Sequence, residues 1–187
     1  MDALAALDAR ALAWVLSLPH PGWLDRLMVG LSALGQQATV WLALGAILAA
    51  WGRLPWKAYW QVVLSIVLAI LVVDAALKPM VGRERPSHAD SEVTALVEPP
   101  ATASFPSGHA ATAFAGAYAL AKFLPRARQA FWMLALLIAA SRVYLGLHYP
   151  LDVIAGALVG AGCAAFSVGG TVWYSRDPAV RVSKGPR

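Results

Sequence analysis

Three polar clusters interrupt an otherwise apolar chain, and their residue types suit phosphate chemistry. They occupy residues 78–86, 106–109 and 141–152. Ionisable side chains are expensive in or near a bilayer, so such clusters mark functional sites by default. Arginine and lysine bind phosphate oxygens, whereas histidine can transfer protons or attack phosphorus. Together the clusters predict one site that binds a phosphate group and attacks it with a histidine.

The third cluster contains a histidine and an aspartate four residues apart. Pro150 is tolerated only in the first turn of a helix, so a helix should start near Tyr149 or Pro150. Asp152 could then accept a hydrogen bond from one imidazole nitrogen of His148 and leave the other nitrogen unprotonated and nucleophilic. Arg142 precedes them, within reach of the same pocket. The alternative for this cluster is a structural Arg–Asp pair.

The second cluster has the composition of a helix start that can bind an anion. Ser107 is a favourable N-cap, and Gly108 lets a ligand approach the backbone. The first amides of a helix are free, and the helix dipole favours an anion beside them. His109 would point into this phosphate cradle. The alternative is a capped helix with a surface histidine.

The first cluster places three cations, Lys78, Arg83 and Arg85, within eight residues. An arginine fork and a lysine charge are the groups that phosphate recognition requires. Attraction to lipid headgroups at the membrane surface is the alternative. Asp74 lies four residues before Lys78, which is the favoured spacing for an acid–base pair on a helix. We therefore expect Asp74 to orient or neutralise Lys78.

The two histidines suggest a division of labour in phosphoryl transfer. His148 would attack phosphorus and form a phosphohistidine, and His109 would protonate the leaving oxygen as general acid. The remaining groups would stabilise the spreading negative charge: Lys78, Arg85, Ser107, the Gly108 amide and Arg142. With so many cations present, the mechanism requires no metal and no cofactor. Zinc bound by the two histidines and Asp152 is a weaker alternative, because the surrounding cations would oppose it.

The composition is that of an integral membrane protein with one helical bundle. Of 187 residues, 59% are hydrophobic and 13% are charged, whereas soluble domains are about 25% charged. The net charge is +5, but the basic faces of a soluble nucleic-acid-binding protein are absent. Cys163 is the only cysteine, so an intrachain disulfide is excluded.

Hydrophobic runs predict a single all-α domain with five membrane spans. Residues 1–35 form two amphipathic patterns too short to span, and we expect them to lie in the interface. The membrane core covers 36–174, with spans at 37–51, 59–77, 107–123, 129–147 and 150–174, and 175–187 form a polar cytoplasmic tail. Four glycines in the third and fifth spans should allow close helix packing: Gly116, Gly156, Gly160 and Gly162.

The positions of the basic residues predict the orientation in the membrane. In the five-span arrangement nine of them fall on one face: Arg53, Lys57, Lys122, Arg126, Arg128, Arg176, Arg181, Lys184 and Arg187. By the positive-inside rule this face is cytoplasmic. All three polar clusters then fall on the opposite face, which in a bacterial inner membrane faces the periplasm or the cell exterior.

The three clusters resemble the three-part signature of the type 2 phosphatidic acid phosphatase superfamily. This superfamily includes membrane lipid phosphatases and soluble vanadium haloperoxidases. The matching positions cover roughly residues 57–160 and are Lys78, Arg85, Pro86, Pro106, Ser107, Gly108, His109, Ser141, Arg142, His148 and Asp152. The resemblance implies a six-helix bundle with an acid phosphatase/haloperoxidase-like core, an outward-facing site, metal-independent hydrolysis and His148 as nucleophile. Together with the five spans read from the hydrophobic runs, this predicts five to six spanning helices.

The resemblance also implies a substrate class. Its members suggest a lipid phosphate or diphosphate such as undecaprenyl diphosphate, phosphatidylglycerophosphate, phosphatidate or lipid A phosphate. The partners expected for the chain are this substrate and membrane lipids, without nucleic acid or an obligatory protein partner. Two alternatives stay open: a lipid phosphotransferase that uses the same phosphohistidine, and a non-catalytic membrane transporter or scaffold with buried charges.

Overall fold

In the computed structural model, which describes residues 2–91 and 93–169, the chain is a bundle of helices and none of these residues lies in a β-strand. The long helices are α1 (Asp2–Leu16), α2 (Gly22–Gly35), α3 (Thr39–Ala50), α4 (Trp56–Ile70), α7 (Gly108–Phe123), α8 (Arg128–Tyr144) and α9 (Pro150–Gly169). Short helices α5 (Lys78–Val81) and α6 (Pro86–Ala89) follow α4. The all-α prediction is confirmed. The predicted cytoplasmic tail and the end of the fifth span lie outside the described residues.

Three helical stretches in the described part of the chain are long and apolar enough to cross a membrane. They are Gly22–Ala50, Trp56–Ala89 and Pro150–Gly169. The first joins α2 to α3 through a 3₁₀ turn at Gln36–Ala38, where Gln37 and Ala38 have positive φ angles of 50° and 59°. With 16 and 17 residues, α7 and α8 are shorter. The interfacial placement of residues 1–35 and the number of spans stay predictions.

Helix α7 lies at the centre of the bundle and packs against α4, α8 and α9. Its core is built largely from alanines, which are buried at positions 110, 111, 113, 115, 117 and 119. Small side chains let helix backbones approach closely where lipid provides no hydrophobic driving force between helices. This close contact holds the starts of α7 and α9 next to each other.

The helices at this centre approach each other most closely at glycines. A Cβ atom on Gly156 or Gly160 would clash with the backbone carbonyl of Ser107 or Ala111, so α9 can lie against α7 only with glycine there. A Cβ on Gly116 would overlap the ring of buried Trp41. These three packing predictions are confirmed. The prediction for Gly162 is wrong, because a Cβ atom there would meet no atom within 4 Å.

The directions of the helices bring the three polar clusters to one end of the bundle. Helix α4 continues through a π-helical turn, Leu71–Leu77, into α5, which begins at Lys78. Helix α7 begins in the second cluster, α8 ends in the third, and α9 begins just after His148. The basic turns before α4 and α8 therefore lie at the opposite end.

Candidate active site

A cavity of about 840 Å³ opens where the three polar clusters meet. Six of the eight predicted site residues line it: Lys78, Arg85, Gly108, His109, Arg142 and His148. The other two are buried behind its wall, with Asp152 and Ser107 both 0% exposed. Segments separated by up to 70 residues thus contribute to a single concave surface with two imidazoles and three cationic side chains.

One ring nitrogen of His148 lies beside a carboxylate and a hydroxyl, and the other lies beside Arg85. Its Nδ1 lies 3.5 Å from Asp152 Oδ2 and 3.4 Å from Ser104 Oγ. Its Nε2 lies 3.2 Å from Arg85 Nη1. Burial lowers the pKa of His148 to about 4, since removal of water disfavours the charged ring; Asp152 opposes this effect, and Arg85 and Arg142 add to it. The ring is therefore neutral at pH 7.

Asp152 is fully buried, and both of its carboxylate oxygens accept hydrogen bonds. Oδ1 accepts from Arg83 Nη1 at 2.7 Å, and Oδ2 accepts from Ser104 Oγ at 2.6 Å and from the Tyr149 amide at 3.0 Å. The Ser104 hydroxyl lies beside both the carboxylate and His148. These contacts fix the carboxylate next to the imidazole, and the 3.5 Å separation from His148 Nδ1 is long for a hydrogen bond.

The start of α7 positions Gly108 and His109 at the cavity. The Ser107 hydroxyl accepts from the Ala110 amide at 3.4 Å, and so caps this helix as predicted. The Ser107 amide donates to the Asp152 carbonyl at 2.9 Å, which ties the second cluster to the third. Because Ser107 is buried and its hydroxyl serves as a cap, its predicted phosphate contact stays a prediction.

The Arg85 guanidinium is locked by the loop that precedes α7. Its Nε donates to the Thr102 carbonyl at 2.8 Å, and Nη1 donates to the Leu147 carbonyl at 2.9 Å. Nη2 reaches the Thr102 hydroxyl at 3.3 Å. A guanidinium held at so many points presents its charge to the cavity in a fixed direction, which suits binding of an anion.

Lys78 and Arg142 complete the cationic wall. Lys78 Nζ lies 2.7 Å from Asp74 Oδ1, which confirms the predicted pair one helical turn apart. Arg142 Nη1 donates to the buried Ser32 hydroxyl of α2. The Nε of Arg142 is also buried and has no hydrogen-bond partner in the described part of the protein.

Sequence reasoning missed several residues that hold the site together. Ser104 and Thr102 precede the second cluster, and Arg83 was noted only as one of three cations. Their positions inside or next to the clusters could have drawn attention to them. Ser32 and Asp8 come from the N-terminal helices, and no spacing pattern links them to the site. Only the fold brings those two residues to Arg142 and Arg83.

Comparison with protein families decides the classification. Residues 58–176 match the model of the PAP2 superfamily, a range that contains all three clusters. The chain belongs to the PAP2 superfamily. The resemblance of the sequence to type 2 phosphatidic acid phosphatases is thereby confirmed, and the chain is a membrane phosphatase of this superfamily.

Among curated PAP2 relatives, an undecaprenyl-diphosphatase from Sulfolobus acidocaldarius is 36% identical over 149 residues, covering 78% of this chain and 69% of that protein. A decaprenylphosphoryl-5-phosphoribose phosphatase from Mycolicibacterium smegmatis is 39% identical over 67% of each chain. A lipid A 1-phosphatase from Rhizobium johnstonii is 41% identical over 55% of this chain, but the match spans only 42% of that protein.

Three solved structures share the fold. Aquifex aeolicus LpxE superposes with a TM-score of 0.76 at 28% identity, covering 87% of this chain and 95% of that one. A phosphatidylglycerolphosphate phosphatase from Bacillus subtilis gives 0.72 at 28% identity, covering 90% and 86%. A bacterial vanadium-dependent iodoperoxidase gives 0.69 at 15% identity over 88% of this chain and 48% of its own. This last likeness supports the predicted haloperoxidase-like core as a fold only.

Proposed function

We propose that this protein removes phosphate from a membrane lipid phosphate or diphosphate through a phosphohistidine on His148. The observation that carries the proposal is the single cavity in which two imidazoles face three cations. The Nδ1 side of His148 faces Asp152 and Ser104, so the attack is assigned to Nε2, which lies beside Arg85 Nη1. The similarity to an undecaprenyl-diphosphatase and to a lipid A 1-phosphatase supports the substrate class.

In the proposed first step, the lone pair of His148 Nε2 attacks phosphorus while the bond to the leaving oxygen breaks. His109, which lines the same cavity, gives a proton to that oxygen. Arg85, Lys78 and Arg142 bind the phosphoryl oxygens, where negative charge spreads in the transition state. Arg85 Nη1 lies 3.2 Å from the nucleophilic nitrogen and so is close to the transferring group.

In the second step, water attacks the phosphohistidine. His109, now deprotonated, takes a proton from the water, the phosphorus–nitrogen bond breaks, and inorganic phosphate leaves with His148 restored. His109 gives one proton to the leaving oxygen and regains one from water, and the lysine and arginine side chains offset the negative charge, so the proposed reaction is independent of metal ions. Transfer of the phosphoryl group to an alcohol instead of water would make the enzyme a phosphotransferase.

The substrate's tail is proposed to stay in the bilayer while its phosphate enters the cavity. The helices around the site expose large apolar side chains, such as Leu71 and Leu64 on the α4 segment and Leu34 on α2, as expected for a lipid-facing surface. In the proposed orientation the cavity opens at the outer face of a bacterial cell membrane. Undecaprenyl diphosphate is the first candidate substrate, followed by phosphatidylglycerophosphate, phosphatidate and lipid A phosphate.

The test is phosphate release from these four lipids by the purified protein in detergent, with and without EDTA. We expect release from at least one lipid, unchanged by EDTA. Inhibition by vanadate is also expected, because vanadate mimics five-coordinate phosphorus. Activity that requires added zinc or magnesium would contradict the metal-independent mechanism. Acceptor-dependent product in place of free phosphate would identify a phosphotransferase.

The roles of the two histidines can be separated with an aryl phosphate, p-nitrophenyl phosphate, whose leaving group needs no protonation. His148→Ala should lose activity by about 10⁴-fold or more and should form no acid-labile phosphoenzyme. His109→Ala should still form the phosphoenzyme from this compound but should hydrolyse it slowly, because water lacks its base. Phosphoenzyme in the His148→Ala variant would contradict the assignment of the nucleophile.

A further inference from the structure

Arg83 lies between two buried carboxylates, Asp8 of α1 and Asp152 of α9. Its Nη1 donates to Asp152 Oδ1 at 2.7 Å, and its Nη2 is 2.8 Å from Asp8 Oδ2. The side chains of Asp8 and Asp152 are 1% and 0% exposed. The flat face of the guanidinium lies 3.8 Å from the ring centre of Tyr149. Arg83 is therefore held in one position, and it does not line the cavity.

Asp8 has a second contact that reaches the same region. Its Oδ1 accepts a hydrogen bond from the amide of Leu151 at 2.9 Å, in the first turn of α9. Asp8 belongs to α1, which also carries the exposed apolar side chains Leu4, Leu7 and Trp14. A buried carboxylate on a helix of this kind is costly unless it is paired. Its position is thus explained by what it does for Arg83 and α9.

The charges around Asp152 show why a second carboxylate matters. Arg83 alone would leave Asp152 in a neutral ion pair, and a carboxylate so neutralised is a weaker acceptor for the imidazole of His148. With Asp8 on the same guanidinium, the three groups carry a net charge of −1. In a buried site, where charges interact strongly, the extra negative charge acts directly on the imidazole of His148.

We propose that Asp8 and Arg83 are positioning residues for the phosphatase reaction, and that the N-terminal helix thereby sets the orientation and charge of the Asp152 carboxylate behind His148. This inference rests on the proposed function, because it assigns the effect to the nucleophilic histidine. Neither residue touches the substrate. Their contribution should appear in the rate of phosphorylation of His148 and not in substrate binding.

The decisive variant is Asp8→Asn. It keeps the side-chain volume and an oxygen that can accept from the Leu151 amide, and it replaces the charged oxygen beside Arg83 with an amide NH2, so the ion pair with Arg83 is lost. We expect kcat for dioctanoyl phosphatidate or p-nitrophenyl phosphate, whichever the wild type hydrolyses faster, to fall about 10- to 100-fold, as for other residues that orient a reacting group through one intermediary. KM should change by less than about twofold.

The matched control is Asp25→Asn. Asp25 also ties an N-terminal helix to the bundle, because it accepts from the Tyr144 hydroxyl at 2.7 Å, but it makes no contact with Arg83 or Asp152. Its kcat should stay within about twofold of the wild type. Equal losses in both variants would show that loosening the N-terminal helices is sufficient, and would overturn the proposal.

A double-mutant cycle tests whether Asp8 acts through Arg83. In the background of Arg83→Gln, the additional Asp8→Asn change should leave kcat unaltered, whereas independent effects would multiply and would contradict the proposal. If Asp8→Asn does not fold, Arg83→Lys tests the proposal instead. Lysine keeps the positive charge but cannot contact both carboxylates as the guanidinium does, so kcat should fall with KM unchanged. An unchanged kcat in Arg83→Lys would overturn the proposal.

Single-turnover phosphorylation separates this proposal from the proposed function. The wild-type protein should form phosphohistidine rapidly, and Asp8→Asn should form it about 10- to 100-fold more slowly. Absence of phosphohistidine in the wild type would refute the proposed function. Rapid formation in both proteins would leave the proposed function intact and would refute only the role of Asp8 and Arg83.

Discussion

At the scale of single residues, the environment of His148 is the feature that matters most for chemistry. A nucleophilic imidazole must be neutral, and burial lowers the pKa of this ring to about 4. Ser104 and Asp152 lie beside Nδ1, which keeps the proton on that nitrogen. The same burial makes the ring depend on its neighbours, because no water can replace a lost partner.

The lowered pKa of His148 predicts its behaviour on acidification. In histidine-labelled protein in detergent, we expect its ¹⁵N signals to change with a midpoint well below pH 5, and the His148→Gln spectrum identifies those signals. A midpoint near the ordinary value of about 6.5 would contradict the buried, neutral ring.

The same shift has a consequence for stability. The unfolded chain binds a proton at His148 at higher pH than the folded chain does, so below about pH 6.5 the unfolded state binds more protons. The free energy of unfolding should therefore fall as the pH decreases from about 6.5 towards 4. In His148→Gln this part of the decrease should be missing. Chemical denaturation of both proteins at several pH values in this range measures the difference.

At the scale of helices, the contact between α7 and α9 holds the start of the two site-forming helices together. Ser107 donates its amide to the Asp152 carbonyl across this contact. Gly156 and Gly160 make the approach possible, because any side chain there would meet the backbone of α7. A small displacement of α9 would move Asp152 away from the second cluster.

Two glycines of α9 form a matched pair for testing this contact. Gly160→Ala forces the helices apart and should destabilise the protein by about 1–3 kcal/mol, with loss of activity because Asp152 shifts. Gly162→Ala meets no atom within 4 Å and should be neutral or stabilising by up to about 1 kcal/mol, since alanine favours the helix. Denaturation in detergent measures both. Equal stability of the two variants would contradict the packing argument.

At the scale of the whole molecule, the bundle separates the end that holds the cavity from a basic end. The cavity lies where α5 and α9 begin and α8 ends, near Lys78, His148 and Arg142. Arg53 and Arg126, in the turns before α4 and α8, and Lys57, at the start of α4, lie at the other end. By the positive-inside rule the basic end should be cytoplasmic and the cavity should open outwards.

Cysteine labelling tests this orientation. In a Cys163→Ser background, a membrane-impermeant maleimide should label Ala101→Cys in intact bacterial cells, because this exposed position lies next to Thr102 at the cavity. Arg53→Cys, exposed at the basic end, should be labelled only after the membrane is opened. The reverse pattern would place the cavity in the cytoplasm and would contradict the predicted localisation.

Most of the bundle was predictable from the chain because apolar runs of helical length have few alternatives in a membrane. The predicted segment 59–77 corresponds to α4 with its π-helical continuation to Leu77, and the segments 107–123 and 129–147 correspond to α7 and α8. The order and spacing of the three clusters also identified the superfamily, which the family match confirms. The kink between α2 and α3 was not predicted, since Gln37 and Ala38 adopt positive φ angles that neither residue type favours.

The sequence by itself determined the residue types of the site, the helices that carry them and the chemistry they suit, because these depend on local composition and spacing. Only the tertiary structure decided which groups hold those residues in place. Asp8 reaches Arg83, and Ser32 reaches Arg142, across more than 70 residues. No local sequence pattern encodes such pairs. Buried charges and hydroxyls need hydrogen-bond partners, and the packing of the helices determines which residues are close enough to provide them.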